Sequence, residues 1–297
     1  IYNREGLVRL DARFLHWLED ADSALHDALL AARAHPDALD DKAHSKFLLS
    51  LAPHVEDFIA ELFGVQTELT KLNEAHHRLA PLFKAKRLFV QRRAAKVSRH
   101  PKRNASEAEG FQADSQDPSI PLRSTRDDDS LIEWELNFAQ KVLPLLDDAE
   151  AKDKLEPYIE YGAWALFAEE GKALHADGLL FKQPEKIDIE NLIPHFKLRH
   201  REGFSLTDDG GALAKALDAA HYCIYCAHQG RDSCAKGMKE KTGEFKTNAQ
   251  KIELAGCPLE EKISEMNELK AGGYALGALA MITVDNPMCA GTGHRIC

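Results

Sequence analysis

LDARFLHWLEDADSALHDAL, residues 10–29, carries apolar side chains at Leu10, Phe14, Leu18, Ala21, Leu25 and Leu29, in steps of three and four. That spacing follows the 3.6-residue turn of an α-helix and puts all six on one face. The stripe runs to His35-Pro36, where the proline lacks a backbone donor and restricts the residue before it, so one helix is expected to stop there.

The same period recurs along the chain. Val55, Phe58, Ile59 and Leu62, followed by Leu69, Leu72, His76, Leu79 and Phe83, predict one long helix or two broken near Gly64, folded as an antiparallel hairpin. Ile132, Leu136, Ala139, Leu143 and Leu146 form another stripe, and Leu155, Ile159, Gly162 and Leu166 the next. Between Val97 and Asp129 the period disappears into Ser, Pro, Asn and charge, the composition of a mobile linker. Residues 1–178 are thus expected to form a helical bundle interrupted by that loop, its three tryptophans packed in or beside the stripes. An extended connector is expected over 179–211, then a second domain over 212–297 with a short helix from Ala212 to Tyr222. Phe245–Asn248 and Lys251–Leu254 are expected to pair as a small hairpin. The fold class is mainly α.

Charge narrows the function. With 38 basic and 48 acidic side chains in 297 residues, the net charge is -10, which disfavours nucleic acid as the main partner. The exception is a run from Lys84 to Arg103 with nine cations and no acid, interleaved with Phe89 and Val90, which suits a phosphate-binding face or an acidic protein surface. No apolar run approaches membrane-spanning length and the start lacks a signal-peptide plan, so a cytoplasmic location and no membrane partner are expected. A start without Met and an end on a motif cysteine suggest an excerpt of a longer polypeptide.

All six cysteines follow residue 220. A secreted disulfide scaffold spreads them differently, and such a cluster points to metal or redox chemistry. Cys223 and Cys226, two residues apart, let two sulfurs converge on one centre with little loop entropy; Cys234, Cys257, Cys289 and Cys297 follow. An iron-sulfur cluster, zinc completed by His221 or His228, a redox dithiol and buried unligated thiols all remain open on the residues alone. Cys257-Pro258 is expected to open a helix, with Cys257 at its N-cap, Leu259, Ile263, Met266 and Leu269 on one face, and Gly272-Gly273 beyond it.

The order Cys257-Pro258-Leu259, Gly272-Gly273, Asn286 with Pro287, Thr292-Gly293, Arg295 and Cys297 resembles the N-terminal iron-sulfur domain of the glutamate synthase small subunit, shared with dihydropyrimidine dehydrogenase. The resemblance covers about residues 212–297. It implies an α-helical ferredoxin-like domain in which Cys223, Cys226 and Cys234 ligate one [4Fe-4S] cluster, and Cys257 and Cys297 another. It also implies a downstream flavin domain, or another oxidoreductase subunit, holding FAD and NAD(P)H, with this chain relaying electrons and not catalytic alone. The chain departs from the family in the longer interval from Cys226 to Cys234 and in about twenty residues between Cys234 and Cys257. Six cysteines also cannot complete two four-thiolate sites. Arg295, like a helix N-terminus at Cys257, is expected to raise the potential of a nearby cluster; an ion pair with Glu260 or Asp285 is its other role. The different-class alternative is a zinc-stabilised helical interaction module without redox activity.

Overall fold

The computed structural model describes residues 3–97, 128–148, 150–176, 178–182, 202–204 and 212–289. Nearly all of the linker expected over 97–129, most of the connector over 179–211, and Arg295 and Cys297 lie outside the described residues. In chain order the helices are α1 (Arg4–Ala21), α2 (Ser23–Ala34), α3 (Asp41–Phe63), α4 (Gln66–Ala85), α5 (Asp128–Asp147), α6 (Lys152–Phe167), α7 (Glu169–Leu174), α8 (Leu213–His221), α9 (Ser233–Lys236), α10 (Ile263–Gly272) and α11 (Ala275–Asp285). The protein is mainly α, and extended pairing among the described residues is limited to two isolated antiparallel bridges.

Two compact units emerge, one of residues 1–75 with 219–297, the other of 76–218. In the first unit, the single helix expected to reach His35 is two helices. Asp22 leaves helical geometry (φ -154°, ψ 90°) and its carboxylate accepts the Leu25 N–H at 2.9 Å. An aspartate there satisfies one of the orphan donors of a new helix, so the chain turns and α2 packs on α1. Arg33 then grips Asp11 through two bonds of 2.7 and 2.9 Å and holds that acid below the usual carboxylate range.

The α3 helix starts on the Asp40 cap and ends at Gly64 in the left-handed region (φ 67°), the break expected there. Its extensive partner is α11, from the other end of the sequence, and not α4 as the hairpin expectation had it; α10 and α1 also pack on it. Ala52, Leu269, Ala278 and Met281 form the small core beneath, with Leu48, Leu49 and Met266 around it. Trp17 of α1 packs edge-on to Phe58 of α3 and donates to Glu61 at 3.1 Å, so its apolar body and its N–H are both used.

The second unit has the larger core, including Phe83, Phe89, Phe138, Leu166, Leu180 and Leu217. After α4 a π-turn over Lys86–Val90 shifts the register, burying Phe89 and also Lys86, whose Nζ lies 2.5 Å from Asp218 of α8. A buried lysine needs such a partner, because desolvation of an unpaired ammonium is costly. Glu135 of α5, with 0 % exposure, accepts the N–H groups of Leu179 and Leu180 at 3.0 Å each. Burial pushes its carboxyl up to about 7, and the two amides oppose that shift without cancelling it.

Candidate functional site

α8 closes at His221, and the N–H groups of Tyr222 and Cys223 bond back to Ala219 and Ala220. The chain then turns sharply: Tyr225 adopts φ 51° and a 3-10 turn over Cys226–Gln229 ends at Gly230, φ 68°. This turn aims backbone donors at sulfur. The N–H of Tyr225 lies 3.4 Å from Cys223 Sγ, and that of Ser233 lies 3.4 Å from Cys226 Sγ. Hydrogen bonds to sulfur are among the levers by which a protein tunes a cysteine-held centre.

Asp232 organises the next step. Its Oδ1 accepts the N–H groups of Cys234 and Ala235, both at 3.1 Å, capping the single turn of α9. The same oxygen lies 3.9 Å from Cys226 Sγ. Cys234 thereby stands exposed on a capped turn, while Cys226 is buried and Cys223 half-buried.

The long interval from Cys234 to Cys257 folds back on itself as a closed insert. Met238 N–H bonds to Leu254 O at 2.9 Å, Lys246 N–H to Met238 O at 2.8 Å, and Leu254 N–H to Lys246 O at 2.8 Å, so three extended stretches close on one another. The bridges Lys239 with Phe245 and Thr247 with Glu253 belong to this insert, the second being the expected hairpin. At its base Gly237 (φ 78°) and Gly256 (φ 84°) touch; a Cβ on Gly256 would sit 2.3 Å from Gly237 N and 2.7 Å from Ala235 O. Only glycine fits both the left-handed backbone and this approach. The result is that Cys257 N–H donates to Cys234 O at 2.8 Å. Residues far apart in sequence are adjacent across the base of a closed insert.

Cys257 itself is not a helix N-cap, contrary to expectation. Residues 257–260 form a turn, Glu260 takes φ 50°, and α10 starts only at Ile263 with Lys262 in the cap position. The left-handed Glu260 interrupts helical geometry, so the helix-end field expected at Cys257 is displaced by more than a turn. The Cys257 thiol is buried and lies 3.4 Å from Glu261 Oε2.

Three acids near these thiols carried no signal beyond the common acidity of a helix start. Glu261 and Glu265 are fully or nearly fully buried, and burial raises the Glu265 carboxyl, with Ser45 lowering it and Asp232 raising it further. Ser264, also buried, accepts the Ala227 N–H at 3.3 Å and ties α10 to the cysteine turn. His228, a candidate zinc ligand, is engaged instead by Glu268 at 2.6 Å. Among the described residues no three His, Cys, Asp or Glu side chains converge as a metal-binding group. Cys289 follows α11 and is half-buried. The sulfur donors of Cys223 and Cys226 are of the type that a thiolate-held centre uses.

Residues 1–64 match the family described as the RP005 N-terminal alpha-helical domain, which here comprises α1 to α3. The sequence is also 33 % identical over 291 residues to the uncharacterised protein RP005 of Rickettsia prowazekii (strain Madrid E), spanning 90 % of this chain and 94 % of that one. The chain belongs to the RP005 family. With nine-tenths of the chain covered, its likeness to RP005 extends well past the helical domain of the first 64 residues. No solved structure matches it. No described helix of this RP005-family protein is long and apolar enough to cross a membrane.

Proposed function

We propose that the cysteine segment is an iron-sulfur electron-relay region that works with a FAD- and NAD(P)H-dependent oxidoreductase module, in the cytoplasm. The observation that carries this reading is the closed insert, which sets Cys257 against Cys234 with a 2.8 Å backbone bond and so offsets the long spacing that separates this sequence from the glutamate synthase small-subunit pattern. The amides on Cys223 and Cys226 sulfur support it further. In this reading Cys223, Cys226 and Cys234 hold one centre and Cys257 contributes with Cys297 to another, each completed by ligands outside the described residues. A bound cluster would supply one-electron chemistry. The protein's part is to hold the thiolates, direct N–H groups at sulfur and exclude water from Cys226 and Cys257, the levers that set a cluster's potential.

The test is to purify the protein without oxygen, reconstitute it with iron and sulfide, and record the visible spectrum before and after dithionite alongside iron, sulfide and zinc assays. Broad absorption that bleaches, with iron and sulfide present in similar amounts, is expected. A colourless protein holding zinc, or one holding no metal, overturns the relay reading.

A further inference from the structure

We propose that the exposed basic face formed by Lys84, Arg87, Arg92, Arg93 and Lys96 docks a carboxylate-rich segment of a partner protein. These five exposed cations lie within thirteen residues that contain no acid. Among the described residues, Lys84, Arg92, Arg93 and Lys96 make no ion pair or side-chain hydrogen bond. The π-turn over Lys86–Val90 and the short 3-10 turn over Ala94–Lys96 set the face by turning Lys86, Phe89, Val90 and Ala94 inward. The carbonyl end of a helix favours cations, which gives Lys84, Arg92, Arg93 and Lys96 a place but no counter-charge.

The occupant follows from chemistry. Nucleic-acid surfaces of this kind add aromatic side chains on which bases stack. Here the interleaved aromatic residue, Phe89, is fully buried and so offers none. The whole chain carries a charge of -10, which repels a long polyanion beyond the patch itself. A short acidic protein segment meets the patch without crossing that field, and electrostatic complementarity of this kind raises on-rates and sets orientation. The inference stands apart from the cysteine segment and holds whether or not that segment binds a cluster.

The test uses fluorescence anisotropy with a labelled 20-residue Glu-rich peptide and a 20-nucleotide single-stranded DNA, at low and at 0.3 M salt. The variant K84E/R92E/R93E/K96E is compared with K141E/K152E/K154E/K215E, which reverses four exposed lysines elsewhere in the same unit, and circular dichroism confirms that both are folded. The peptide is expected to bind the wild type in a salt-sensitive way, to weaken about tenfold or more in the first variant and to change less than about twofold in the second. Equal losses in the two variants, absence of peptide binding, or tighter binding of the DNA than of the peptide overturns the proposal. Sedimentation of the protein alone at low salt adds a further arm: self-association lost in the first variant would assign the face to a second copy and overturn it likewise.

Discussion

Glu56 of α3 accepts the N–H of Gly277 in α11 at 2.9 Å, joining residues 221 positions apart in sequence. It also meets the amide of Leu276, so one buried carboxylate caps the start of a helix whose own N-cap residue, Tyr274, gives no side-chain bond. Burial raises the Glu56 carboxyl and the two amides act against that shift. Gly277 lies close to the carbonyl of Ala52, so the two helices approach where the cap is made. Glu56→Leu is expected to destabilise the protein by about 2 kcal/mol by leaving those buried donors unpaired, and Glu56→Gln by less, because an amide oxygen still accepts. Urea unfolding of the two variants checks the order.

Glu135 makes the stability of the second unit depend on pH. Its folded value of about 7 is raised above the ordinary 4.5, so its contribution is present below about 4.5 and is lost as pH rises through 7. Relative to the wild type, Glu135→Gln is therefore expected to gain roughly 2–3 kcal/mol of stability between pH 5 and pH 8. The measurement is the difference between variant and wild type at the two values, which removes groups common to both, such as Asp11 and Asp41 with their lowered carboxyls. A difference that does not change with pH contradicts the assignment.

Gly256→Ala should damage the site more than its size suggests. The new methyl would meet backbone on both sides of the insert base, at a left-handed φ of 84°. About 3 kcal/mol of destabilisation is expected from strain and overpacking together. The bond between Cys257 and Cys234 should open as well, so the same variant is expected to hold less iron after reconstitution than the wild type.

Asp22→Ala removes the cap that splits the first helix in two. A loss of about 1 kcal/mol is expected, read from the thermal or urea midpoint. Asp22→Asn should recover most of it, since its side-chain oxygen still reaches the Leu25 N–H.

The helices were legible wherever a stripe of apolar residues recurs at helical spacing and a strong breaker ends it, as at Gly64. The turn at Asp22 was hidden because Leu18, Ala21, Leu25 and Leu29 keep the helical period across it, and only the aspartate three residues before Leu25 marks the cap. The late start of α10 was hidden for a related reason: Cys257-Pro258 is a good opening, and nothing local says that Glu260 will take φ 50°. Pairing of α3 with α11 depends on contacts between opposite ends of the chain, which periodicity does not encode. Of the candidate site, spacing singled out the pair Cys223 and Cys226, while Cys234 and Cys257 were singled out by the resemblance to the iron-sulfur domain. The half-buried Asp232 and the buried Glu261 and Glu265 were not, because in sequence they look like the solvated acids beside them.

The proposed relay requires that Cys223, Cys226, Cys234 and Cys257 act as metal ligands. Iron and acid-labile sulfide per chain should be measured, after anaerobic reconstitution, in the wild type and in Cys223→Ser, Cys226→Ser, Cys234→Ser, Cys257→Ser and Cys289→Ser. The account predicts iron and sulfide in the wild type, a clear loss in each of the first four variants and near wild-type content in Cys289→Ser. Zinc without sulfide in the wild type, or retention of iron in Cys226→Ser together with its loss in Cys289→Ser, would contradict it.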